Sequence, residues 1–125
     1  MDEISIDDFQ KLDIRIGTVV ETEVPEWSHW VIRLKVDLGE EVGIKQGFSG
    51  IMKFYKPGEL INKQFPFVVN LEPKKIGPEK EPSEVMMLMA TPQATQAGGQ
   101  AVPEDEIKPI LFDLQEKVPN GTKVR

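Results

Sequence analysis

Residues 65–90 read FPFVVNLEPKKIGPEKEPSEVMMLMA, two apolar runs flanking a basic, proline-punctuated link. Phe65 to Val69 is one short apolar run, and Val85 to Ala90 is a second, with methionine at 86, 87 and 89. Apolar runs this short, bounded by turn-forming residues, read as buried strands rather than helices. Between them lies a proline-punctuated basic link, Leu71-Glu72-Pro73-Lys74-Lys75, followed by a polar loop through Gly77, Pro78 and Pro82. Two buried strands joined by a stiff basic loop are suited to holding cations over an anionic ligand, since phosphate binding is driven by Lys and Arg.

Toward the N-terminus the apolar pattern has a period of two. Ile14, Ile16, Thr18 and Val20 alternate with Arg15, Gly17, Val19 and Glu21, which predicts a first strand ending at Pro25. Gly17 in its middle predicts a bulge or sharp coil. Val31 to Leu38 alternates again and predicts a second strand. Gly39-Glu40-Glu41 is read as a turn, and Gly43 to Ile51 as a third, strongly bent strand. Lys53 to Gln64 reads as a turn into one turn of helix, with Leu60 and Ile61 packed inward. The fourth strand is expected over Phe65 to Leu71, with Pro66 at a sheet edge. The fifth is expected over Glu84 to Ala90. Ahead of the first strand, Ser5-Ile6-Asp7-Asp8 is a weak capping box. It predicts a short helix to about Leu12, either a lid or a dimer contact.

Beyond the fifth strand, Thr91 to Glu104 is a loop that is uncharged until its last residue. Ile107 to Leu114 has strand character, with Ile110, Phe112 and Leu114 on one face. Asn120-Gly121 predicts a hairpin turn. Five principal strands with one interposed helical turn predict an all-β, five-stranded OB-fold barrel. The expected organisation is a single domain over 1–125, with an N-terminal helix in 1–12, the barrel in 13–90, and a loop with a C-terminal strand extension in 91–125.

The 125-residue chain has no cysteine, which excludes disulfides, thiolate metal sites and cysteine nucleophiles. Its N-terminus shows no basic-then-apolar leader pattern, and its longest apolar run is six residues, so a cytoplasmic location is expected. The net charge of −6 argues against simple nonspecific affinity for nucleic acid. The charge is uneven, however. Residues 45–80 carry seven basic and three acidic side chains, while residues 1–44 carry four basic and eleven acidic. Only the middle third can present a cationic face.

Chemistry-bearing patterns are sparse. His29 has neither a second histidine nor a nucleophile beside it, and Gly98-Gly99 lacks the Lys-Ser/Thr of a phosphate loop. The paired carboxylates fall in expected turns. No enzyme activity, metal or cofactor is predicted. The loop Glu26-Trp27-Ser28-His29-Trp30 is more informative, because a loop tryptophan can stack on a base or hold an apolar peptide side chain. Trp30, abutting the next strand, is read first as a plug of the barrel end. For Trp27, plugging and binding stand level. Among the methionines, alternate positions of a barrel strand must fill the core, and Met87 is the expected inward one.

With these residues laid out, the chain resembles the tRNA-binding domain family of OB folds over nearly its whole length. Phe9-x-Lys11-Leu12-Asp13-Ile14-Arg15-Ile16-Gly17-Thr18-Val19, Leu34-Lys35-Val36-Asp37-Leu38-Gly39, Tyr55-Lys56-Pro57, Asn70-Leu71-Glu72-Pro73-Lys74-Lys75-Ile76, and Ser83 with Met86 carry the resemblance. Within the family the chain looks most like the CsaA-type export chaperones, through Gly43-Ile44-Lys45-Gln46, Leu60-Ile61-Asn62-Lys63-Gln64, Ser83-Glu84-Val85 and Val118-Pro119-Asn120-Gly121-Thr122-Lys123. The resemblance implies a homodimer.

Two functions follow. The first is a chaperone-like binder of unfolded or pre-export polypeptide, using Trp27, Trp30, Phe48 and Met86. The second is a tRNA-binding module, with Lys45, Lys53, Lys74 and Lys75 on phosphates and Asn70 and Ser83 hydrogen-bonded to backbone or base. Phe9, Ile110 and Phe112 are the candidate dimer contacts.

Overall fold

A computed structural model of the chain describes residues 1–92, 103 and 106–125. The chain passes through α1 (Ile6–Gln10), β1 (Ile14–Glu23), β2 (Ile32–Asp37), α2 (Gly39–Val42), β3 (Ile44–Ser49), α3 (Pro57–Leu60) and β4 (Gln64–Val68). It continues through β5 (Lys74–Ile76), β6 (Glu81–Ser83), β7 (Met86–Met87), β8 (Met89–Ala90) and β9 (Ile110–Leu111). The main sheet has the order β3-β2-β1-β4-β7, all neighbours antiparallel. Its two ends meet at a parallel bridge between Gly47 and Val85, supported by the Glu84 amide donating to the Gln46 carbonyl at 2.8 Å. The result is a nearly closed five-stranded barrel of OB type with short helices.

The period-two pattern produces this core directly. Val19, Ile32, Leu34, Val36, Leu38, Phe65, Phe67, Val85 and Met87 all point inward and are buried. Ile51 and Leu60 plug it from the turns after β3 and within α3. Each fully buried aliphatic or aromatic side chain contributes about 1.5–3 kcal/mol.

Gly17, expected to mark a bulge or sharp coil, and Gly47, in the strand expected to be strongly bent, both serve close approach. The register shift in β1 falls between Val19 and Glu21, not at Gly17. Gly17 is needed for space, since a Cβ there would sit 2.5 Å from Val36 Cγ1 and 2.6 Å from Leu38 Cδ2. A Cβ on Gly47 would lie 2.8 Å from the Val85 carbonyl oxygen, so glycine permits the approach that closes the barrel.

Several boundaries differ from the sequence reading. β4 stops at Val68, and Pro66 lies inside the sheet, paired with Ile16 on one side. Its carbonyl accepts from the Leu88 amide at 3.0 Å on the other. The expected fifth strand divides into β7 and β8, and β8 leaves the barrel to pair with β9. The link expected as an irregular loop is a β5–β6 hairpin, with Lys74 opposite Ser83 and Lys75 opposite Pro82. Gly39 to Val42 is a helical turn. α1 keeps its expected cap, with Ser5 Oγ accepting from the Asp8 amide at 3.0 Å, but ends at Gln10. The expected loop at 91–104 lies mostly outside the described residues. Among the described residues no helix is long and apolar enough to cross a membrane.

The Asn120-Gly121 turn does not make a hairpin of two strands. Instead, residues 121–124 run along β1 where β2 leaves it. The Ile16 amide donates to the Thr122 carbonyl, the Gly121 amide to the Ile16 carbonyl and the Val124 amide to the Ile14 carbonyl, each at 2.8 Å. Arg15 anchors this region. It is buried and its guanidinium reaches Asp13 at 2.8 Å, Glu41 at 3.0 Å and the Gly121 carbonyl at 3.4 Å. Hydrogen bonds from Arg15 hold both carboxyl groups below their ordinary range, at Asp13 against the opposing effect of burial. Folded values lower than unfolded ones mean the clamp contributes fully above about pH 5, weakens as pH falls below the unfolded values, and is lost as pH passes through the folded ones. The stability gap between the wild type and Arg15→Met should therefore narrow on acidification from about pH 6 to about pH 3, as read by urea unfolding. A constant gap would assign the role of Arg15 to packing of its stem alone.

Candidate functional site

The β1–β2 loop and the β5–β6 hairpin meet over the outer face of β3. Trp27 forms the joint. Its ring lies over Gly77, where a Cβ would be 2.6 Å from ring carbons, and Gly77 has φ +76°. The ring is tilted 43° to Phe48, with centroids 6.2 Å apart. Arg33 on β2 sits 5.7 Å from the Phe48 centroid and ties three strands together, pairing with Glu81 at 2.6 Å and Glu23 at 3.0 Å. These contacts hold Phe48 in place from one side.

On the other side of Phe48 an open groove of about 1230 Å³ runs between the end of β3 and the β7–β8 segment. Its geometry follows from barrel closure. β3 meets the residue just before β7 at the Gly47–Val85 bridge, and beyond that bridge the groove lies between the two segments. One wall carries Trp30, Phe48, Ile51 and Phe54, and the other carries Met86 to Met89. Pro92, Ile107 and Pro109 add to the lining. Lys53 is the single charged side chain among the described residues of the lining.

Of the two tryptophans, the packed one is not the one first read as a plug. Trp30 does not plug the barrel, being 61% exposed on the groove. Trp27 is the ring that packs. Met87 points inward as expected, while Met86, one residue earlier on the same strand, is 47% exposed. Trp30, Phe48 and Met86 are thus brought into one groove, with Trp27 bracing Phe48 from behind. Ile51, Phe54, Leu88 and Ile107 also line it and carried no signal in the sequence, because nothing local distinguishes a groove residue from a core residue.

The basic and polar candidates do not converge in the same way. Lys74 and Lys75 are both exposed on β5 and, as successive strand residues, point to opposite faces of the hairpin. Glu72, Glu79, Glu81 and Glu84 surround them in sequence. Lys45 lies 3.8 Å from Glu84. Asn70 is engaged within the chain: its Oδ1 accepts from the Asp13 amide at 2.9 Å and its Nδ2 donates to the Lys11 carbonyl at 2.6 Å. Ser83 Oγ accepts from the Phe48 amide at 3.3 Å. Both side chains tie segments together. Among the described residues there is no cluster of three or more His, Cys, Asp or Glu that could hold a metal ion.

The fold and the groove define a binding module built on an OB barrel. The chain belongs to the family described as a putative tRNA-binding domain, whose model matches residues 14–123. It is similar to the crystal structure of chaperone CsaA from Bacillus anthracis, with 35% identity, a TM-score of 0.78, and coverage of 99% of this chain and 100% of that one. It is also similar to a MetRS-related protein from Pyrococcus horikoshii, with 30% identity, a TM-score of 0.79 and complete coverage of both chains. Among curated proteins, the methionine–tRNA ligase of Clostridium acetobutylicum is 37% identical over 98% of this chain. The chain spans only 17% of that ligase's length.

Proposed function

We propose that this chain binds extended apolar stretches of unfolded or pre-export polypeptide in the cytoplasm. The observation that carries the reading is the exposure of Trp30 and Met86 across a groove lined largely by carbon, with one lysine among the described residues of its lining. A concave, mostly apolar exposed surface supports a binding role. Methionine adapts its shape, which suits ligands of varied sequence. Similarity to a CsaA chaperone over almost the full length of both chains supports the same reading.

Two findings favour a second reading, that of a tRNA-binding module: the description of the family model and the methionine–tRNA ligase relatives. There Lys45, Lys53, Lys74 and Lys75 contact phosphates. A paired anisotropy titration separates the two. One probe is labelled bulk tRNA. The other is labelled α-lactalbumin, reduced and carbamidomethylated so that it stays unfolded. Each is run at low and physiological salt. The polypeptide reading expects binding of the unfolded chain with a shallow salt dependence. Tight tRNA binding with a steep slope, and no polypeptide binding, would overturn it. In the RNA case, Lys74→Ala with Lys75→Ala should flatten the log–log salt slope by about 0.7 for each phosphate no longer neutralised. An unchanged slope would remove the β5 lysines from the site.

The polypeptide reading includes a homodimer. Ile110 and Phe112 are each 48% exposed, and Phe9 is half-buried on α1. A second copy covering these residues would bury them. Sedimentation equilibrium at micromolar concentration should return twice the 14.1 kDa chain mass, and a single-chain mass would end the idea.

A further inference from the structure

We propose that Met86 is an oxidant-responsive control point of the groove, its conversion to the sulfoxide by a peroxide lowering the groove's affinity for apolar polypeptide. The proposal rests on the polypeptide reading. It starts from an asymmetry between neighbours on one strand. Met86 pairs with Val68 and Met87 with Phe67, so the two thioethers take opposite faces of β7. Met87 is 6% exposed and part of the core, while Met86 is 47% exposed and faces the groove. Met52 and Met89 are half-buried against the core, and Met89, which also lines the groove, is less exposed there than Met86. The chain has no cysteine, so a thioether is its softest nucleophile toward a peroxide. Met1, which does not line the groove, is fully exposed and serves as an internal reference for an unprotected thioether.

The sulfur lone pair of Met86 attacks one peroxide oxygen, the O–O bond breaks, and an S–O bond forms. The sulfur loses two electrons, and hydrogen peroxide leaves as water. A methionine sulfoxide reductase reverses the step, using a dithiol that becomes a disulfide and releases water. The consequence at the groove is physical. A flexible apolar group becomes a polar, chiral one among Trp30, Phe48 and Leu88. A ligand that covered it would bury a strong acceptor, a change of about tenfold in affinity.

Treat the full chain with hydrogen peroxide to about one oxygen per chain, remove the peroxide, and map the sites by peptide mass spectrometry. Then titrate the unfolded α-lactalbumin probe into treated and untreated protein. Met86 should oxidise at a rate close to that of Met1, with Met87 protected, and affinity should fall by about tenfold. Reductase treatment should restore it. The M86L variant, whatever its starting affinity, should bind equally before and after peroxide. Equal protection of Met86 and Met87 would overturn the proposal, as would unchanged binding by protein oxidised at Met86. A loss of binding in peroxide-treated M86L would move the switch to another residue and so overturn the assignment to Met86. Absence of binding by the untreated protein would overturn the polypeptide reading together with the switch, a result distinct from the others.

Discussion

Phe67→Ala is expected to lower the melting temperature by roughly 10–20 °C. Phe67 is 1% exposed and belongs to the barrel core. It pairs with Arg15 on β1 and with Met87 on β7, so its strand carries β7 into the main sheet. Removing the ring deletes buried apolar surface and leaves a cavity, which costs about 3–5 kcal/mol where the surroundings cannot collapse. Collapse is restricted here, because both neighbouring strands are fixed by ladder hydrogen bonds. Thermal unfolding followed by circular dichroism checks the figure. A shift under about 3 °C would show that the barrel interior repacks freely.

Trp30→Ala should have the opposite profile, with little effect on folding and a large effect on binding. The ring is 61% exposed, so little of its area is removed from water when the chain folds. A ligand lying along the groove would bury it. Truncating a central aromatic anchor commonly costs about 2 kcal/mol or more, which is a rise in Kd of about 30-fold. The anisotropy titration with unfolded α-lactalbumin measures this, and the unfolding midpoint is the control. If affinity stays within about twofold, Trp30 is not an anchor and the groove is not where the polypeptide sits. Trp27→Ala is a poor substitute for this test, since that ring braces Phe48 and seats on Gly77.

The barrel was legible because alternation reports directly on which face of a strand is buried. Ile32, Leu34, Val36 and Leu38 could be assigned to the core from spacing alone, and all four are fully buried. What was not legible depended on partners distant in sequence. Trp30 looked like the plug because it abuts β2, yet the seat for a ring is Gly77, and Trp27 is the tryptophan that occupies it. Asn70 and Ser83 looked like ligand contacts because they are polar and sit beside a basic stretch. Their acceptors and donors turn out to be Lys11, Asp13 and Phe48, separated from them by 59, 57 and 35 residues. The β5–β6 hairpin was hidden for a similar reason. Prolines and charged residues in and around it mask any strand propensity, and the pairing is supported by Arg33 binding Glu81 and by Gln46 Nε2 donating to the Pro82 carbonyl at 3.1 Å.

The tail along β1 sets an order of events during synthesis. β1 leaves the ribosome well before the tail, but the edge of Ile14 and Ile16 is completed only by residues 121–124. The link from Arg15 to Gly121 spans 106 residues. With translation at roughly 5–20 residues per second, that edge waits about 3–11 s after β4 has been made. During this interval β1, β2, β3 and β4 can assemble, while one stretch of β1 still offers unpaired amide and carbonyl groups to any neighbouring nascent chain. Arg15 and its acidic partners Asp13 and Glu41 surround that stretch with charge, which discourages pairing with another strand until the tail arrives.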